Sequence, residues 1–356
     1  MKYFIFSTKI FFLLLLFLAT VYIKNKEFVH QIQKAYHYDT FNVFHWKNIR
    51  FTSAEPNKNF VKTQYILHNP KKFNAFIFGS SRVGRLPADG LPQDFNGTKL
   101  NWYNMTYSEG VPAEHLLTME TFLRNGVKIC MILLGFDNIS MYASLEAHKA
   151  QLQRIPYQVY EENKMEFFRP YFEPEVDPSI IKQIDEYDFT AHKDAAQSFY
   201  SYGWTGGDFS LTQTPDMERY KVGHLGYPLS DSYRDLEAIV ALCSKYGIKL
   251  VLFTSPMYEN LYRNSVEDGY FEFLHKVAQN CEFYNFSALN KYTTDPRYYY
   301  EWSHYRPILG LAIEKVLFGT DDEREEIRDI AGDEFFGMKV DSRNIDEIIA
   351  KLQERW

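Results

Sequence analysis

Continuous apolar runs, rather than alternating ones, dominate the middle of the chain. Phe73–Phe78 (FNAFIF) ends at Gly79, Val127–Leu134 is bounded by Gly126 and Gly135, and Ile248–Thr254 stops at Ser255-Pro256. Short apolar runs closed by turn-forming residues predict strands buried on both faces. A fourth short strand is predicted around Phe283–Phe286, and an edge strand just before Tyr103. Between them, apolar residues recur at helical spacing. Leu116, Leu117, Met119, Phe122 and Leu123 place a helix over Ala113–Arg124, stopped by Asn125-Gly126. Ser230 or Asp231 caps a helix that runs to Tyr246 and closes at Gly247, and another spans Pro307–Phe318 before Gly319. Helices alternating with doubly buried strands predict an α/β domain built on a parallel sheet.

The amino terminus follows a different pattern. Ile10–Ile23 is apolar almost throughout, and Tyr3–Phe6 extends the stretch across Ser7, Thr8 and Lys9. As a helix, Tyr3–Ile23 would be about 31 Å long, enough for a bilayer core of about 30 Å. A cleaved signal peptide is the rival reading, but Ala19-Thr20-Val21 is a poor cleavage site, which favours an uncleaved signal anchor. Lys2 and Lys9 face Lys24 and Lys26 across the segment, so charge bias does not set its orientation. The expected organisation is an anchor over residues 1–24, a connector over 25–70, an α/β domain over 71–319 and a tail over 320–356. Within the domain, residues 141–225 break the rhythm and read as an aromatic-rich insertion or lid.

Charge and cysteine content narrow the function. The formal charge is −7, but Thr320–Trp356 carries twelve acidic and six basic residues, leaving the first 319 residues nearly neutral. No basic face for nucleic acid is expected. Cys130, Cys243 and Cys281 are too few and too scattered for a disulfide framework or a cysteine-rich zinc site, though one disulfide is not excluded. The ten histidines lack H-x-x-x-H spacing, His37 and His45 stand isolated, and no G-x-G-x-x-G or Walker loop follows a strand. No metal, nucleotide or other cofactor is expected.

Candidate chemistry sits in short stretches. Gly79-Ser80-Ser81-Arg82 follows the first strand, where an open α/β sheet presents ligand-binding groups. Glu301-Trp302-Ser303-His304 lies just before the last core helix. The three-residue spacing lets the Glu301 carboxylate reach the imidazole, fix its tautomer and leave the other nitrogen to take a proton from a serine. Each stretch also has a plain structural reading, as a βα turn with a capping serine and as a helix cap.

In combination and order, these stretches resemble the SGNH/GDSL hydrolase superfamily. Gly79-Ser80-Ser81 matches the family's first block with Ser80 in place of Asp, which carries the nucleophile role onto Ser81. Glu301-Trp302-Ser303-His304 matches the last block, Asp-x-x-His, with Glu for Asp. The second block is seen in Tyr103-Asn104-Met105-Thr106-Tyr107-Ser108-Glu109-Gly110, and the third, Gly-x-Asn-Asp, in Gly135-Phe136-Asp137-Asn138 with Asn and Asp exchanged. The resemblance implies a three-layer α/β/α sandwich with a parallel flavodoxin-like sheet. It also implies an oxyanion hole built from Ser81 N–H, a backbone N–H at Glu109 or Gly110, and Asn138 if that side chain turns into the hole. Asp295 is the reserve partner for His304. Arg82 and Trp302 are candidate substrate contacts, Arg82 being alternatively a salt-bridged turn residue. The Gly-Ser-Ser-Arg variant, the anchor and Ser255-Pro256 resemble the membrane-anchored branch that includes DltD and the alginate-acetylation proteins. That branch implies an extracytoplasmic esterase or O-acyltransferase acting on a cell-envelope glycan or acylated polymer, beside a membrane-bound O-acyltransferase. A non-catalytic scaffold in a glycan-modification complex is the alternative. Tyr157, Tyr160, Phe167, Phe168, Tyr171, Tyr200, Tyr202 and Trp204 in the insertion suit stacking on sugar rings, or equally an aromatic lid core.

Overall fold

The computed structural model describes residues 9–19, 62–63, 66–67, 69–87, 90–107, 109–142, 209–217 and 231–355. The chain divides into two compact units, Met1–His68 with Ala150–Gln197, and Asn69–Lys149 with Ser198–Trp356. In the first unit, residues 9–19 form a helix whose large apolar side chains, Ile10 to Leu18, are exposed. No helix among the described residues is long and apolar enough to cross a membrane. The rest of Tyr3–Ile23, most of the connector, His37, His45 and the eight aromatic residues singled out in the insertion lie outside the described residues.

The second unit is a mixed α/β structure around a mostly parallel six-stranded sheet. Its strands are β1 (Ala75–Phe78), β4 (Trp102–Asn104), β5 (Met131–Phe136), β6 (Lys249–Thr254), β7 (Phe283–Asn285) and β8 (Met338–Val340); β2 (Asp94–Phe95) and β3 (Thr98–Lys99) form a separate ribbon. The sheet order is β4-β1-β5-β6-β7-β8, and only β8 runs antiparallel to its neighbour. Counted in chain order, the five parallel strands lie 2-1-3-4-5, a doubly wound order that switches direction between β1 and β5. The crevice beyond the carboxyl ends of β1 and β5 is therefore where such a sheet places its ligand.

The continuous apolar runs follow from burial on both faces. Ala75, Ile77, Met131, Leu133, Val251 and Phe253 share a core with Leu309, Ile313 and Val316 of one flanking helix and Ile327 and Ala331 of the next. Those helices span Pro307–Phe318 and Asp321–Ala331. Alternate residues face the other layer, where Phe76 meets Phe122 of the helix Pro112–Arg124 and Phe136 meets Phe273 of the helix Tyr270–Ala278. The helix Ser232–Tyr246 also belongs to this layer and closes on Gly247, whose φ of 65° is the left-handed conformation that a terminating glycine supplies most readily.

Of residues 320–356, expected as a tail, the described ones, 320–355, belong to the domain. A Thr320–Glu323 capping box opens the helix Asp321–Ala331, β8 pairs with β7, and a final helix, Ile345–Glu354, contacts Tyr270–Ala278. Nine of the twelve acidic residues in this stretch therefore lie on two amphipathic helices, not on a free extension. Each buries a narrow apolar stripe, Ile327 and Ala331 in one and Ile345, Ile348 and Leu352 in the other.

Candidate active site

The turn that carries Ser80 and Ser81 starts where β1 ends. Gly79 has φ of 145°, and a Cβ there would stand 2.5 Å from Val83 Cγ2 and 2.7 Å from the Gly135 carbonyl oxygen. Glycine thus lets the turn press against β5. Ser80 and Ser81 follow, and a 3-10 turn over Val83–Arg85 closes behind them, with Gly84 N–H donating to Ser80 O. Gly79→Ala is expected to lower stability by about 1–3 kcal/mol through backbone strain and overpacking, read as a fall in thermal midpoint.

The loop with Glu301 and His304 is an irregular loop, not a helical turn. A bridge between Tyr299 and Tyr305 pins its neck, and Tyr300 N–H donates to His304 O at 2.9 Å. Glu301 folds back over this loop, accepting from Ser303 N–H at 2.7 Å and His304 N–H at 2.9 Å. Its Oε1 also contacts His304 Nδ1 directly. On the opposite side of the ring, His304 Nε2 lies 2.8 Å from Ser81 Oγ. The structure thus brings Ser81, His304 and Glu301 into one hydrogen-bonded row at the sheet's switch point.

The electrostatics favour a neutral ring. Burial pushes the His304 pKa down and Glu301 pulls it back up. The Arg85 and Arg82 charges push it down again, leaving it below its ordinary value. For Glu301, burial raises the pKa, but hydrogen bonds from the His304 ring and the loop N–H groups outweigh it and hold the carboxyl below its usual range. Glu301 is then anionic while His304 is neutral at pH 7. With Nδ1–H donated to Glu301, Nε2 can accept the Ser81 proton.

Around the row, Arg82 ties three segments together. Its Nε donates to Ser303 O at 3.0 Å and Ser303 Oγ at 3.1 Å, and its Nη1 to Asn138 Oδ1 at 2.8 Å. Nη1 also stands 2.9 Å from Asp137 Oδ2 in an ion pair that is almost fully buried. Ser80 Oγ donates to the same Asp137 oxygen at 2.6 Å, and Ile139 N–H donates to Asp137 Oδ1 at 2.8 Å. A buried pair is tolerable only with such additional hydrogen bonds. Arg82 is 2% exposed with these donors engaged, so it is not the substrate contact suggested as one reading of the sequence.

The remaining candidates fall unevenly. Asn138 is buried just beyond β5, as the first residue of the short helix Asn138–Tyr142, with its acceptor end on Arg82. Ser81 is half-buried, and its N–H has no acceptor among the described residues. Gly110 N–H donates to Tyr107 O at 3.3 Å and is already committed, while Glu109 is exposed with φ of 53°. Trp302 is half-buried within the loop. Asp295 is bound by Arg297, which lowers its pKa, and it caps Arg297 N–H; it does not serve His304. Tyr300 stacks beneath two guanidinium groups, Arg85 at 4.9 Å and Arg306 at 4.6 Å from its ring centre, a feature with no local sequence signal.

All three cysteines are free thiols. Burial pushes Cys243 and Cys281 up to about 12, so neither is a thiolate nucleophile. Among the described residues no group of three His, Cys, Asp or Glu side chains is arranged to hold a metal ion.

No protein-family model matches the chain, and no curated protein sequence matches it.

Proposed function

We propose that the protein is a serine esterase or O-acyltransferase of the SGNH/GDSL type. The observation that carries this reading is the row Ser81 Oγ, His304 Nε2, His304 Nδ1, Glu301 at the sheet's switch point. Ser81 gives its proton to His304 Nε2 as its oxygen bonds the ester carbonyl carbon, and the carbonyl electron pair moves onto oxygen. Ser81 N–H and the Asn138 amide are the donors for that oxyanion. When the intermediate collapses, the C–O bond to the alcohol breaks and the alcohol leaves with the proton from Nε2. Water or a sugar hydroxyl then attacks the acyl-serine, giving its own proton to Nε2; as the acyl C–O bond to Ser81 breaks, Nε2 returns that proton to Oγ and the free hydroxyl is restored.

The resemblance extends this reading to short acyl groups, acetyl above all, on a cell-envelope glycan or polymer. The apolar Ile10–Ile23 run supports anchoring at a membrane, and the resemblance implies a domain outside the cytoplasm, where a membrane-bound O-acyltransferase is the expected partner.

The pH dependence of ester turnover tests the assignment of the base. Protonated His304 cannot accept from Ser81, so kcat/KM falls as pH drops through the His304 pKa of the free protein. Because that pKa is lowered, the fall is expected below pH 6.5, with a plateau through neutrality. Release of acetate from an aryl acetate and from an O-acetylated polysaccharide measures it. A midpoint above pH 7 would contradict a partly buried, neutral histidine as the base. No turnover of either substrate would favour the scaffold reading.

A further inference from the structure

We propose that Arg82 is a positioning residue that makes Asn138 the side-chain donor of the oxyanion hole. The inference rests on the esterase or acyltransferase reading above and adds a residue to it. A side-chain amide has an acceptor end and a donor end, and which way it points is fixed by its neighbours. The guanidinium can only donate, and Nη1 is 2.8 Å from the Asn138 oxygen. That contact commits Oδ1 and turns Nδ2 to the opposite side, where no described residue accepts from it. Asn138 is buried just beyond the carboxyl end of β5, across the switch point from the turn that carries Ser81. A donor held without a protein acceptor is what a developing oxyanion requires.

The same nitrogen disposes of the neighbouring carboxylate. An ionised Asp137 facing the reacting carbonyl would repel the charge that develops there. Instead, Arg82 Nη1, Ser80 Oγ and Ile139 N–H hold it away in a buried, neutralised cluster. This accounts for two features of the sequence together. Asp137 precedes Asn138 where the family resemblance expects the reverse, and Ser80 stands where it expects Asp. With the carboxylate supplied from position 137, a hydroxyl at position 80 can donate to it, whereas a second carboxylate there would repel it. Nε meanwhile grips Ser303, next to His304, so one planar group registers the donor, the nucleophile turn and the base loop.

A double-mutant cycle in the full-length protein tests the role, with kcat and KM for an aryl acetate and the thermal midpoint as readouts. Asn138→Ala removes the donor and is expected to lower kcat by about 100-fold with KM little changed. Arg82→Lys keeps a positive charge for Asp137 but lacks the fork that reaches Asn138 and Ser303 together. It is expected to lower kcat by a similar factor, and the double variant should be little worse than either single one. Asn138→Asp, which cannot donate when ionised, should lose at least as much as Asn138→Ala, and it carries the test should the Arg82 variant not fold. Asn138→Ala or Asn138→Asp at full rate would overturn the role, as would losses that multiply in the double variant. An inactive wild type would instead remove the esterase reading, and this role with it.

Discussion

Replacing Ser81 with alanine is expected to lower ester turnover by a factor on the order of 10⁵ or more while leaving the fold in place. The two halves of this expectation have separate causes. The catalytic half follows from chemistry: among the described residues no other hydroxyl lies in the row with His304 and Glu301, and alanine supplies no oxygen to form the acyl intermediate. The structural half follows from position. Ser81 is half-buried, and among the described residues its side chain bonds only His304 Nε2, on a ring that is about a quarter exposed and can turn to water instead. The hydroxyls that hold the turn and its surroundings belong to Ser80 and Ser303. A thermal midpoint within a few degrees of wild type, together with lost turnover, is therefore the expected pair of results. Retained turnover would remove Ser81 as the nucleophile.

Glu301→Gln is expected to be nearly as severe for turnover, on the order of 10³–10⁴-fold, for a different reason. The carboxylate can only accept, so it selects the tautomer with the proton on Nδ1 and leaves Nε2 free for Ser81. Glutamine can also donate, which stabilises the opposite tautomer and puts the ring proton where Ser81 must deliver its own. The substitution also removes the negative charge that raises the His304 pKa against burial and the arginines. Any remaining activity should therefore show its acid limb at lower pH than wild type. Part of the loss comes from the loop itself, because Glu301 accepts two of its N–H groups. Turnover within tenfold of wild type and an unmoved acid limb would mean that Glu301 acts only as a loop brace.

The features legible in the sequence were those governed by local rules. β1, β5 and β6 could be read because strands covered on both faces need nearly unbroken apolar runs, and helix ends at Gly247 and Gly319 because glycine marks a stop. The helices Glu259–Glu267 and Tyr270–Ala278 have no such signal; their apolar stripes mix aromatic with aliphatic residues and are interrupted by Asp268-Gly269. β8 was invisible for another reason. Three residues carry no period, and their pairing with β7 is a long-range event. The same distinction separates the parts of the site. Glu301 and His304 are three residues apart, so their contact could be anticipated, and chain order suggested Ser81 as their partner. The cluster of Ser80, Arg82, Asp137 and Asn138 joins segments more than fifty residues apart. Its trace in the sequence was a paired departure from the family pattern at positions 80 and 137. Which way the Asp137 carboxylate faces was decided by Arg82, a tertiary contact that neither block reveals alone.

The most direct test of the central claim is the site of covalent modification by a fluorophosphonate, a reagent that traps activated serines. Intact-mass measurement and peptide mapping of the full-length protein should find one adduct, on Ser81, formed much more slowly by Glu301→Gln and not at all by Ser81→Ala. An unmodified wild-type protein, or an adduct on another residue, would contradict an activated nucleophile at Ser81.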